Sequence, residues 1–265
     1  MEYLALLTSA FVSISPAGNS YEGPGATVPD EVTGGLGPVW EVPGSEVFST
    51  GPWMNSTGTG AGGKDESILQ AWGNTYGYGC QFNIQWVLAD DFEVPVNVCW
   101  SVVSISIAGY QTGSGTAPTF DGLYFTLYDD PPTTGSIVYG DYTSNYFSSA
   151  AWTEIYRVDL KGAGTNTDRP IMAVTAELST PWYITEGTYW LAYMLDGSGY
   201  SGPWSPPVVI WDQPVTGNAL QSTDGGILWE PIENGGHASG VCIILEGDDI
   251  SSLEHETWGS IKSMF

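Results

Sequence analysis

Basic side chains are nearly missing from this chain. Five Lys and Arg stand against 30 Asp and Glu in 265 residues, a formal net charge of −25 at pH 7. Such a field repels phosphate backbones and anionic headgroups, which excludes nucleic acid and acidic membrane surfaces as partners. Histidine is as scarce, with His237 and His255 alone. No G-x-S-x-G, H-E-x-x-H, phosphate-binding glycine loop or EF-hand loop occurs, so the usual triads and metal-hydrolase motifs are absent. His237 sits in Asn234-Gly235-Gly236-His237 and reads as a turn residue; His255 belongs to the tail. The three cysteines, Cys80, Cys99 and Cys242, form no C-x-x-C pair and no Cys/His cluster, which excludes structural zinc of the familiar spacings. Tyr3–Ile14 is apolar but too short to span a bilayer, so no transmembrane span is expected.

That run, followed by Ser15-Pro16-Ala17, has the hydrophobic stretch and small residues of an export signal, and residues 1–17 are expected to be one. It lacks the basic n-region, since Glu2 precedes it and no Lys or Arg occurs before Lys64. An exported chain permits disulfides. Cys80 and Cys99 flank one presumed strand and its turn, so they are expected to pair, a link that stabilises by roughly 3 kcal/mol through loop entropy. Cys242, inside the apolar run Val241–Leu245, is expected to stay a buried thiol.

Residues 18–46 form a leader rich in Gly, Pro and acidic residues. From 47 to 247, alternating apolar positions recur between turn signals. They include Phe82, Ile84, Trp86 and Leu88; Val103, Ile105 and Ile107; Leu123, Phe125 and Leu127; and Met172, Val174, Ala176 and Leu178. Asp129-Asp130-Pro131-Pro132, Asp196-Gly197-Ser198-Gly199 and Asp224-Gly225-Gly226 are turn chemistry. Many short strands without helical periodicity predict an all-β fold, an antiparallel β-sandwich of jelly-roll type with short terminal extensions.

The motifs Ala89-Asp90-Asp91-Phe92, Gly109-Tyr110-Gln111-Thr112-Gly113-Ser114, Ile155-Tyr156-Arg157, Arg169-Pro170-Ile171-Met172, Gly187-Thr188-Tyr189-Trp190-Leu191, Ser201-Gly202-Pro203-Trp204 and Thr216-Gly217-Asn218-Ala219-Leu220-Gln221 run in that order across residues 47–247. Together they resemble a β-sandwich domain of exported bacterial proteins. The resemblance implies a secreted, extracellular protein and carries no activity, substrate or catalytic residue with it. The cysteines depart from that pattern. Residues 256–262, with Trp258-Gly259 followed by Ile261-Lys262, resemble a short tail at the ends of other exported bacterial proteins, which implies sorting or anchoring.

Carboxylates suffice in number for a glycoside hydrolase, which needs two across a sugar, but those in turns are better explained as caps of backbone N–H groups. Asp90, Asp91, Asp129 and Asp130 are candidate calcium ligands in oxygen-rich loops, without a diagnostic spacing. Tyr200, Trp204 and Trp211 flank a Gly/Pro-rich stretch and are candidate glycan-stacking rings; the competing reading is that they pack the domain. Arg157 and Arg169 are each expected to face a carboxylate, Asp90 or Asp91 for one of them. In the tail, residues 248–265, Ser251-Ser252-Leu253-Glu254 fits a capping box. A short amphipathic helix is expected there, with Trp258, Ile261 and Phe265 as an apolar stripe that either folds back on the domain as a lid or, the reading adopted, inserts into a neighbouring subunit or an envelope receptor. The expected protein is non-catalytic: a structural or assembly component of the cell exterior, such as a surface, matrix or filament subunit, that self-associates or binds the cell envelope. A carbohydrate-binding module is the alternative.

Overall fold

A computed structural model describes residues 45–251. Its strands, in chain order, are β1 (Glu46–Ser49), β2 (Asp65–Leu69), β3 (Tyr78–Gly79), β4 (Val87–Gly109), β5 (Phe120–Tyr128), β6 (Ile137–Asp141), β7 (Ser149–Asp159), β8 (Pro170–Gly197), β9 (Trp204–Ser205), β10 (Leu220–Ser222), β11 (Glu230–Pro231), β12 (Glu233–Asn234), β13 (His237–Ala238) and β14 (Ile243–Asp249). The all-β class read from the sequence holds. Among the described residues no helix is long and apolar enough to cross a membrane.

Two long strands organise the rest. β4 and β8 run antiparallel from Leu88 opposite Tyr193 to Gly109 opposite Met172, with register breaks between Val94 and Cys99 and between Val102 and Ser104. Near the first break Asn97 (φ 64°) and Gly187 (φ 149°) take backbone conformations that reorient the chain. On one side of it, β10 pairs with β4, while β5 and then β6 extend from β8. On the other side, β14 and then β1 extend from β4, while β7 and then β2 extend from β8. The pairings are antiparallel except β2 with β7, which is parallel, so the sheet is mixed. It is also one continuous hydrogen-bonded ladder rather than separate short strands.

The two halves of this ladder share a core. Phe48 of β1 lies 5.4 Å from Phe92 in the other half, and Tyr139 of β6 lies 5.6 Å from Trp182. Between them Leu88, Ile105, Phe125, Val174, Leu191 and Leu245 are buried together. Each such side chain contributes about 1.5–3 kcal/mol of burial, which is what holds the bent ladder closed.

The outer faces are covered unevenly. Trp53, Met54, Ile155 and Val208 pack on Ala108, Ala173 and Ile244, while Phe82 and Trp229 pack on Tyr124, Tyr128 and Trp190. Phe82 stacks on Tyr124 at 3.7 Å, and it does so from a tight 3-10 turn over Phe82–Ile84 that ends on Gln85 at φ 59°. The alternation Phe82, Ile84, Trp86, Leu88 therefore belongs to a turn and the start of β4, not to one strand.

Arg157 corrects another expectation. It is fully buried, and among the described residues its guanidinium meets backbone carbonyls rather than Asp90 or Asp91. Nε donates to Tyr76 O at 2.8 Å, Nη2 to Thr75 O at 2.8 Å, and Nη1 to Ser67 O and Oγ at 3.2 and 3.1 Å. Burial pulls its pKa down to about 10, still well above neutral pH. Arg169 is held over the Tyr76 ring, 3.9 Å from its centroid.

Candidate functional site

One stretch of the outer face stays open. Where β14, β4 and β8 lie side by side, pairing places Glu246 opposite Ser104 and Ser104 opposite Glu177, and Glu46 of β1 lies opposite Glu246. Directly paired residues share a face of the sheet, so this is one row of three carboxylates and a hydroxyl across four strands. The neighbouring rows are also polar: Asp248 with Ser101, and Ser106 with Thr175, whose hydroxyls meet at 2.9 Å. Both ladders slip at this level, between Glu246 and Gly247 and between Val102 and Ser104. A bulge inserts one residue and turns a side chain outward, as with Val103, which is 40 % exposed.

The result is a groove of about 470 Å³ lined by Ser45, Val103, Ser104, Thr175, Glu177, Leu178, Glu246, Gly247 and Asp248. Glu246 is only 7 % exposed. Its Oε2 accepts from Ser104 Oγ at 2.8 Å, and its Oε1, buried, has no protein donor among the described residues. Glu177 and Asp248 are exposed. Gly247 closes one side with its N–H donating to Ser45 O at 2.8 Å, so the first described residue lies against β14. The last described residues lie nearby: Ile250 N donates to Cys99 O at 2.9 Å, and Ser251 Oγ accepts from Cys99 N at 2.8 Å. Ser251 Oγ also donates to Asp249, so this hydroxyl is engaged with β4 and β14.

The residues singled out from sequence do not gather in this groove. Asp90 and Asp91 lie inside β4, not at its end, and alternate positions of a strand face opposite sides. Asp90 is 3 % exposed, accepting from Val241 N at 2.8 Å and Asp91 N at 3.0 Å; burial raises its pKa to about 7, those two donors pulling the other way. Asp91 accepts from Asn218 Nδ2 at 3.3 Å. Asp129 and Asp130 stay in their own turn, Asp129 Oδ1 accepting from Ser136 N at 2.7 Å. Among the described residues no three Asp, Glu, His or Cys side chains are grouped as a metal would need.

The rings are likewise dispersed. Tyr200 is 98 % exposed, but Trp204 packs against Leu69, Tyr76 and Tyr110 and donates from Nε1 to Ser201 Oγ at 3.2 Å. Trp211 is half-buried. Trp258, Ile261 and Phe265 lie outside the described residues, as does most of the capping box.

The expected Cys80–Cys99 disulfide is not formed. Cys80 O accepts from Leu195 N, whereas Cys99 is paired with Thr185. Ten residues of β8 and its bend at Gly187 separate those two partners, so sequence proximity across the presumed turn misled. Burial raises the pKa of both the Cys80 and the Cys242 thiol.

The groove was not foreseen. Glu246 stood at the end of the recognised apolar run and Glu177 inside another, and an acidic residue interrupting an apolar alternation was the available signal. No protein-family model, no curated protein and no solved structure matches this chain.

Proposed function

We propose that this chain is a secreted, non-catalytic structural or assembly protein of the cell exterior. The observation that carries the reading is that the first and last described residues lie close together beside β14. Ser45 is bonded to Gly247, and Ser251, four residues further on, is bonded to Cys99. At about 3.3 Å per residue Ser45 and Ser251 stand roughly 15 Å apart, close enough for one neighbouring molecule to contact both. A surface beside the edge strand β1 is suited to strand or helix exchange between copies.

The sheet supports the same reading at its far end. Among the described residues β6 pairs only with β5, and Ile137 and Val138 on it are exposed. An edge strand with apolar side chains is a template for further pairing. Electron microscopy of the native exported material tests the proposal: ordered polymers or sheets are expected, and dispersed single particles overturn it.

A carbohydrate-binding module is the second reading, favoured by the full exposure of Tyr200. It predicts dispersed particles retained on a polysaccharide column, with retention lost in Tyr200→Ala.

A further inference from the structure

We infer that the groove on β14, β4 and β8 is a binding site for an organic cation, an alkylammonium or guanidinium group.

The electrostatics point there first. Like charges directly opposite on neighbouring strands destabilise a sheet, and here Glu46 faces Glu246, with Glu177 two strands beyond and Asp248 one turn of the ladder away. Three of the five basic residues are engaged away from the groove. Lys64 is paired with Glu154 at 2.6 Å, Arg157 is in the interior and Arg169 lies on Tyr76. Residues 1–44 contain no Lys or Arg at all.

The second observation is Glu246 itself. A carboxylate that is more than nine-tenths buried costs free energy unless both oxygens have donors, and Oε1 has none among the described residues while Oε2 has Ser104. Glu246 lines the groove, and Oε1 is the oxygen that an incoming donor would satisfy. Ser104 holds the other oxygen and fixes where the charge sits.

The shape selects the class of cation. A bare divalent ion needs several oxygens at about 2.0–2.6 Å, and no three such side chains are grouped here among the described residues. Neighbouring strands lie about 4.8 Å apart, which puts Glu246 and Glu177 about 10 Å apart at the backbone, with Ser104 between. An ammonium or guanidinium on an alkyl stem fits that spread: the head at Glu246, the N–H groups shared with Glu177 or Asp248, and the methylenes against Val103 and Leu178, both on the groove wall. The source is either a basic side chain of another protein or a free polyamine.

The test titrates the full chain with N-acetyl-lysine N-methylamide, with its uncharged norleucine counterpart, with spermidine and with calcium chloride, following backbone amide NMR shifts. Saturable shifts at Val103, Ser104 and Gly247 are expected for the charged compounds, at least about tenfold weaker for norleucine, and weakening with salt. Tighter binding of the lysine compound identifies a protein side chain as the source, and tighter binding of spermidine a polyamine. Glu246→Gln is expected to weaken binding by about tenfold, and the exposed Glu177→Gln, which leaves the core untouched, by about threefold. Equal affinity for lysine and norleucine, no saturable shift at these residues, or calcium moving the same amides at lower concentration than either amine overturns the inference. None of these outcomes bears on whether the chain assembles, which is read by microscopy.

Discussion

The buried guanidinium of Arg157 donates to the backbone carbonyl of Tyr76 at 2.8 Å, tying β7 to the segment that leads into β3. The side chain of the same tyrosine lies under Arg169, and the backbone N–H of Arg157 donates to Arg169 O at 2.9 Å. Two of the five basic residues thus form one knot around Tyr76, whose own pKa is raised to about 12 by burial, with Asp159 adding to it.

Arg157→Ala is expected to be severe. It removes a donor from each of the carbonyls of Ser67, Thr75 and Tyr76 and opens a cavity, a loss of at least about 3 kcal/mol, or roughly 6–12 °C in Tm for a domain of this size. Thermal unfolding checks it, and a variant that melts within about 2 °C of the parent contradicts the assignment.

Asp90 makes stability depend on pH. Its pKa rises from 3.8 in the unfolded chain to about 7 in the fold, so folding favours the protonated carboxyl. The contribution is fully present below about pH 4 and is lost as pH rises through about 7, by up to about 4 kcal/mol in all. Asp90→Asn, which does not titrate, is expected to lack this fall. Denaturant unfolding of both proteins from pH 4 to 8 measures it; parallel profiles contradict it.

Cys80 and Cys242 are expected to resist alkylation at pH 8 in the folded protein, since burial raises both thiols, and to react on unfolding. Mass mapping without reductant that recovers a Cys80–Cys99 link contradicts the strand register described above.

Gly247→Ala is expected to cost about 1–3 kcal/mol, because a β-carbon there runs into the Ser101 carbonyl across the β14–β4 bulge. It also pushes the groove wall outward, so the loss is read in Tm and in the amide shifts of Ser104 together.

The sequence patterns that translated were those where alternation met no irregularity. Leu123, Phe125 and Leu127 in β5, and Met172, Val174 and Ala176 in β8, all face the core as their period of two requires. Val103, Ile105 and Ile107 show the limit: Ile105 and Ile107 are buried, but the bulge after Val102 turns Val103 to solvent. A bulge has no sequence signature when neither residue is glycine. The extra length of β4 and β8 was equally hidden, because Pro95, Asn97 and Gly187 are residue types that favour the end of a strand, and here they sit where two long strands bend. The groove depends on which strands neighbour one another, so Glu246, Ser104 and Glu177 become one site only through pairings spanning 142 and 73 positions of the chain.

Deleting residues 251–265 and measuring Tm together with the state of assembly tests the proposed role most directly. A Tm close to that of the full chain is expected, with ordered polymers or surface retention lost. A truncated protein that assembles or stays on the surface as the parent does, or a full chain that never leaves the monomeric state, contradicts it.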